Sequence, residues 1–175
     1  MSFLGHAMHR RLACVVTLVL LVACGSALAA PPSLWRGKVV GVVDGDTIDV
    51  MHEGRAERIR IASIDAPEKG QPFGTAAKRC ASDLCFGTDV TVIAQSKDRY
   101  GRTVADVILT NGKSLGRELV RLGMAWLYTK YSDDKTLAEL QRLASEKRIG
   151  LWAEAGPVPP WQWRKSKGKA GGQID

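Results

Sequence analysis

The chain has 175 residues, with 25 Lys and Arg against 18 Asp and Glu, for a formal charge of +7. That length holds one domain with a real hydrophobic core and leaves no room for a second beside it. The three histidines and four cysteines do not make a zinc or thiolate pattern, which excludes that metal chemistry and leaves oxygen ligands for a hard cation.

In chain order, Arg10 and Arg11 precede the apolar run Leu12 to Ala23, and Ala27-Leu28-Ala29 offers a small-x-small cleavage site. Residues 1–30 therefore read as a secretory signal peptide, too short and too soon interrupted for a comfortable membrane span. Leu21-Val22-Ala23-Cys24 also fits the processing box of a bacterial lipoprotein, so a lipid anchor at Cys24 stands as the alternative to soluble export. Losing residues 1–30 removes two arginines and no acids and leaves a mature charge of +5. Such a surplus is the footprint of a polyanion partner, although many exported proteins are basic for other reasons.

Trp35 to Val50, broken by the Asp44-Gly45 turn, and Glu57 to Ile64, set off by Glu53-Gly54, read as a three-strand meander. Ala76 to Cys85 is a predicted helix, Val90 to Ala94 a strand, and Thr103 to Leu109 a fifth strand ended by Asn111-Gly112. Ser114 is an N-cap for a helix bearing Leu115, Leu119 and Leu122. Asp134 to Arg148 is a last amphipathic helix, with Leu137, Leu140 and Ala144 on one face and Gly150 as its stop. The expected fold is α+β, a five-stranded Greek-key barrel of the oligonucleotide-binding class with about three helices. The domain is expected over residues 34–155. Residues 156–175 form a tail in which Pro159, Pro160, Trp161 and Trp163 pack back on the barrel, while the run from Arg164 to Lys169 is too polar to fold. Of the four cysteines, Cys80 and Cys85 remain after export, in an oxidising compartment. A disulfide between them requires the helix to end near Leu84, and buried free thiols are the other reading; neither has the His partner of a nucleophilic cysteine.

The chemistry gathers in Asp44-Gly45-Asp46-Thr47 and in the segment Arg60 to Glu68. Each could be a structural turn. Together they bring carboxylates and an arginine to the ends of two short strands, and a later Asp98-Arg99-Tyr100-Gly101-Arg102 adds a second arginine. Two arginines beside clustered carboxylates suit an anionic substrate held against a hard cation.

From Val39 to Trp152, the ordered motifs DGDT, RIRIASIDAPE, KGQPFG, DRYGR, LGMAWLY and IGLW make this chain resemble the staphylococcal nuclease-like (thermonuclease) family. The resemblance implies an oligonucleotide-binding barrel with a Ca²⁺-dependent phosphodiesterase site acting on DNA and RNA and leaving 3′-phosphorylated products. It places Asp46, Asp65 and the backbone carbonyl of Ala66 as metal ligands, with Asp44 as turn former or as a group behind the ligands. Arg60 and Arg102 would donate to the phosphate, and Glu68 would act as general base or orient the attacking water. Arg99 and Tyr100 match positions that hold a terminal phosphate, and Tyr128 and Tyr131 offer faces for a base to stack on; Trp126 reads as core.

The expected protein is an exported, secreted or periplasmic endonuclease that cuts single-stranded or locally open DNA and RNA with little sequence choice. No protein partner is implied. The rivals are a non-catalytic nucleic-acid-binding barrel and an envelope lipoprotein; joint retention of Asp46, Asp65, Arg60, Glu68 and Arg102 speaks against the former.

Overall fold

The structure, a computed structural model, describes residues 33–170, so the signal-peptide and Cys24 readings fall outside the described residues. In chain order it has β1 (Leu34–Asp44), β2 (Thr47–His52), β3 (Arg55–Ile61), β4 (Ile64–Asp65), α1 (Gly74–Cys85), β5 (Asp89–Lys97) and β6 (Thr103–Ile108). There follow α2 (Leu115–Arg121), β7 (Trp126–Leu127), α3 (Lys135–Glu146), a 3-10 turn at Gly150–Ala153 and α4 (Pro160–Ala170).

β1, β2 and β3 form an antiparallel meander, and the barrel closes in the order β1-β2-β3-β6-β5. The period-2 alternation of a half-buried strand puts Ile48 and Val50 of β2, Ile59 and Ile61 of β3 and Ala105 and Val107 of β6 inside, all at or below 1% exposure. The β3–β6 contact is parallel, with Arg60 opposite Val104, and parallel neighbours need a long crossover, supplied here by α1 and β5. That pairing sets the outward-facing end of β3 beside the start of β6.

α1 lays Ala77, Ala81 and Cys85 against the barrel, and all three are fully buried. Gly45 permits this approach: a Cβ there would meet the Cβ of Ala66 at 2.7 Å and that of Ala77 at 2.8 Å. The helix runs through Cys85, and both Cys80 and Cys85 are free thiols. Burial pushes the Cys85 thiol up to about 12, so it stays protonated and inert at neutral pH.

Ser114 caps α2 as its type suggests, its Oγ accepting from Arg117 N at 3.4 Å. Asp134 caps α3 by accepting from Thr136 N and Leu137 N at 2.7 and 3.1 Å. α3 stops at Glu146, short of the expected Arg148, because Arg148 itself takes the left-handed conformation at φ 51°. Gly150 instead opens the 3-10 turn.

The tail departs most from expectation. Arg164 to Lys169, expected to be too polar to fold, lies within the helix α4. Pro160 stands at the first helical position, where its fixed φ and missing N–H cost nothing. The helix gains its hold from tertiary contacts rather than from propensity: Pro160 is buried, and Trp161 and Arg164, three apart and so on one face, reach Tyr128 and Asp65.

Candidate active site

The Asp44-Gly45-Asp46 turn is held by its own first residue, with Asp44 Oδ1 accepting from Asp46 N at 3.1 Å. Asp46 then points inward at 6% exposure. Its Oδ2 accepts from Ala66 N at 2.7 Å and its Oδ1 from the Thr47 hydroxyl at 3.1 Å. β3 ends at Ile61, and Ser63 turns the chain sharply with a left-handed φ of 65°. Ile64 and Asp65 then pair with Leu127 and Trp126 of β7, while Ser63 O accepts from Tyr128 N at 2.9 Å. This small second sheet, absent from the sequence reading, holds Asp65 at 2% exposure.

Arg60 joins the two carboxylates. Its Nη2 lies 2.9 Å from Asp65 Oδ1 and 3.1 Å from Asp46 Oδ2, and its Nη1 donates to Ile61 O at 2.7 Å. The charge balance is nevertheless poor. Burial, with the charges of Asp44 and Asp65 beside it, pushes the Asp46 carboxyl up to about 7 against the opposing pull of Arg60 and the Ala66 N–H. Asp65 is likewise raised, chiefly by burial, although Arg164 and Arg60 oppose this. A pair of buried carboxylates whose charge is opposed by burial is chemically suited to a hard divalent cation. Among the described residues no three His, Cys, Asp or Glu side chains converge as a ready cation cage; the guanidinium groups of Arg60 and Arg164 stand at Asp65 instead.

A cleft of about 790 Å³ opens over this pair and is lined by all ten residues singled out in the sequence: Asp46, Arg60, Asp65, Ala66, Glu68, Arg99, Tyr100, Arg102, Tyr128 and Tyr131. Arg102 is steered by Asp98, whose Oδ2 accepts from its Nε at 2.7 Å, while Asp98 Oδ1 accepts from the backbone N–H groups of Tyr100 and Arg102 at 2.9 and 3.0 Å. Gly101, at φ 79°, supplies the left-handed residue that this turn needs. The Arg99 guanidinium lies 4.7 Å from the Tyr100 ring centroid and donates to the Tyr100 hydroxyl at 2.6 Å. Both side chains stand in water at the rim. Tyr131 is 68% exposed, meets Tyr128 edge to face at a centroid distance of 4.8 Å and has the Lys130 ammonium 5.3 Å from its ring centroid, whereas Tyr128 has one face covered by Trp161, parallel within 4° at a centroid distance of 5.3 Å. Trp126 is half-buried rather than core, packed between Trp152 and Trp161.

Two contributors escaped the sequence reading. Gln71, 7% exposed, accepts from Glu68 N at 3.0 Å and donates to Val158 O at 2.7 Å, tying the loop of Glu68 to the segment leading into α4. Arg164 donates to Asp65 Oδ2 at 2.8 Å and to Glu68 Oε1. The only local signal for Arg164 was Pro160 as a helix start, while Gln71 lay inside the KGQPFG motif with no role attached.

A closed five-stranded barrel that gathers carboxylates and arginines in one polar cleft belongs to the oligonucleotide-binding class of barrels, with a site built from opposed charges. The chain belongs to the staphylococcal nuclease homologue family, whose model matches residues 58–154. It is 45% identical over 132 residues to an uncharacterized endonuclease of Escherichia coli O157:H7, covering 75% of this chain and 86% of the relative. It is 38% identical over 146 residues to a micrococcal nuclease of Shigella flexneri, covering 78% and 84%. A protein ParB of Escherichia coli is 35% identical over 171 residues, 92% of this chain and 93% of the relative.

Proposed function

We propose that this protein is a Ca²⁺-dependent endonuclease that hydrolyses DNA and RNA and leaves 3′-phosphorylated ends. The observation that carries the reading is the Arg60 clamp, which fastens Asp46 to Asp65 in the same cleft that holds Arg102 and Glu68. Asp46, Asp65 and the Ala66 carbonyl would hold the cation, which when bound supplies positive charge against the phosphate and the developing alkoxide. Arg60 and Arg102 donate to the non-bridging oxygens, where negative charge grows as the phosphorus is attacked. Their planar forks suit two oxygens at once. Glu68, partly exposed on the cleft wall, orients a water and takes its proton. The exposed Tyr131 ring and the Arg99–Tyr100 pair extend the cleft along a single strand, where stacking and phosphate contacts need no particular base sequence.

The test is digestion of single-stranded DNA and RNA by the purified mature protein with Ca²⁺ and with excess chelator. Cleavage is expected with the ion and none without it, and full activity in chelator overturns the reading.

Export belongs to the same proposal and rests on Arg10, Arg11, the run Leu12 to Ala23 and the Ala27-Leu28-Ala29 site. Among the described residues no helix is long and apolar enough to cross a membrane. Intact-mass spectrometry should find a mature protein that begins near residue 30 without an acyl chain. A chain beginning at a diacylated Cys24 would identify a lipoprotein instead.

A further inference from the structure

α4 has no part in the reaction just described, yet it is docked on the site. Trp161 lies flat on Tyr128 and edge-on to Trp126, with ring centroids 5.9 Å apart in the latter pair. Just ahead of the helix, Val158 O accepts from the buried Gln71 side chain. One turn beyond Trp161, Arg164 reaches back across 99 residues of sequence to Asp65, donating to Oδ2 at 2.8 Å and to Oδ1 at 3.3 Å, and to Glu68 Oε1 as well.

A carboxylate has about four lone-pair directions. At Asp65 one is taken by Arg60 and two, one on each oxygen, by Arg164, so a cation seated on these oxygens competes with a like-charged guanidinium that already covers both. The helix itself has no need to leave. Its anchors at Trp161 and Gln71 are separate from the guanidinium, and the Arg164 side chain, 42% exposed, has a flexible stem at the cleft wall that also carries Arg60 and Arg102. A guanidinium released from carboxylates there has five unpaired donors, and an incoming phosphate presents the oxygens that match them.

We propose that Arg164 is a third phosphate-binding arginine of the cleft, held on Asp65 and Glu68 until a divalent cation takes the Asp65 oxygens and then handed over to the substrate phosphate. The assignment rests on the reading of the cleft as a cation-dependent phosphodiesterase site. It makes the cation and the phosphate cooperative through one side chain: the ion displaces Arg164 from the carboxylates, and the phosphate keeps it from returning.

The test is calorimetric and needs no turnover. Ca²⁺ is titrated into chelator-stripped wild type, R164Q and R164K, and a deoxynucleoside 5′-monophosphate is then titrated into each at saturating Ca²⁺. R164Q should bind Ca²⁺ several-fold more tightly, because the competing donor is gone, and should bind the nucleotide about tenfold or more weakly, the scale of one lost charge-assisted contact. R164K keeps the charge without the fork and should fall between wild type and R164Q in both titrations. Unchanged or weaker Ca²⁺ binding by R164Q overturns the competition, and unchanged nucleotide binding overturns the hand-over to phosphate. Unfolding midpoints measured alongside verify that the variants keep the barrel. If wild type takes up no Ca²⁺, the underlying reading falls and the hand-over with it. If wild type binds Ca²⁺ and cleaves DNA while R164Q matches it in both titrations, only the role of Arg164 falls.

Discussion

Replacing Arg60 by lysine should lower kcat by about 10² or more, the scale seen when one preorganised donor to a developing oxyanion is removed. Two of the five N–H donors of Arg60 already serve Ile61 O and Asp65, and its charge also pairs with Asp46 at 3.1 Å; the donors that remain are what it has to offer a phosphate. A lysine ammonium has three donors at one point. It cannot hold the carbonyl and both carboxylates and also face the substrate. Affinity for single-stranded DNA should change little, because the positive charge remains and the salt-dependent part of binding counts charges. Cleavage rate with Ca²⁺ and DNA affinity are to be measured on the same preparations of wild type and R60K. A normal rate with weakened binding would make Arg60 a docking residue only.

Asp46→Asn should have opposite effects on stability and on activity. Burial pushes the native carboxyl up to about 7 from its ordinary 3.8, so between these pH values the folded state keeps a proton that the unfolded state has released. The stability contributed by this group is therefore present below about pH 4 and is lost as pH rises through about 7. An uncharged Asn avoids that loss and can still accept from Ala66 N. At pH 8 without metal, D46N should be more stable than wild type by about 1–3 kcal/mol, after allowance for the partner that Arg60 loses. For a domain of this size that raises the unfolding midpoint by roughly 3–10 °C. At pH 4 the two should nearly coincide. Ca²⁺ should stabilise wild type by mass action and leave D46N unmoved, and D46N should not cleave DNA. Thermal melts at the two pH values, with Ca²⁺ and with chelator, give the comparison. A D46N protein less stable than wild type at pH 8 in chelator would mean that the Asp46 charge is already compensated in the metal-free fold.

What could be read in advance divides along sequence separation. Asp44 to Asp46 and Arg60 to Glu68 lie on a meander whose alternation of apolar residues is plain, so their meeting at one end of the barrel follows from local rules. The second arginine was likewise legible in the run Asp98 to Arg102, but the turn by which Asp98 and Gly101 place it was not. Asp65 stands out in the sequence by its motif, but its hold on β7 does not, because a two-residue ladder carries no periodic signal. Arg164 was hidden for a stronger reason. Its partners are 96 and 99 residues away, and a basic helix with no apolar stripe looks like solvated tail until the tryptophan it stacks and the carboxylates it pairs are known. The end of α3 was missed by two residues because Arg148, rather than a glycine, took the left-handed position.

The parallel seam between β3 and β6 bears on how the protein is made. A ribosome-bound chain that has not yet reached Asp89 can pair β1, β2 and β3 but has nothing to cover the free margins of β1 and β3, which β5 and β6 occupy in the finished barrel. Such open margins invite pairing with other chains, and the distant partners make closure slow compared with a helical bundle of equal size. The barrel is therefore a poor substrate for folding during synthesis and suits a chain that is kept unfolded until translation is finished.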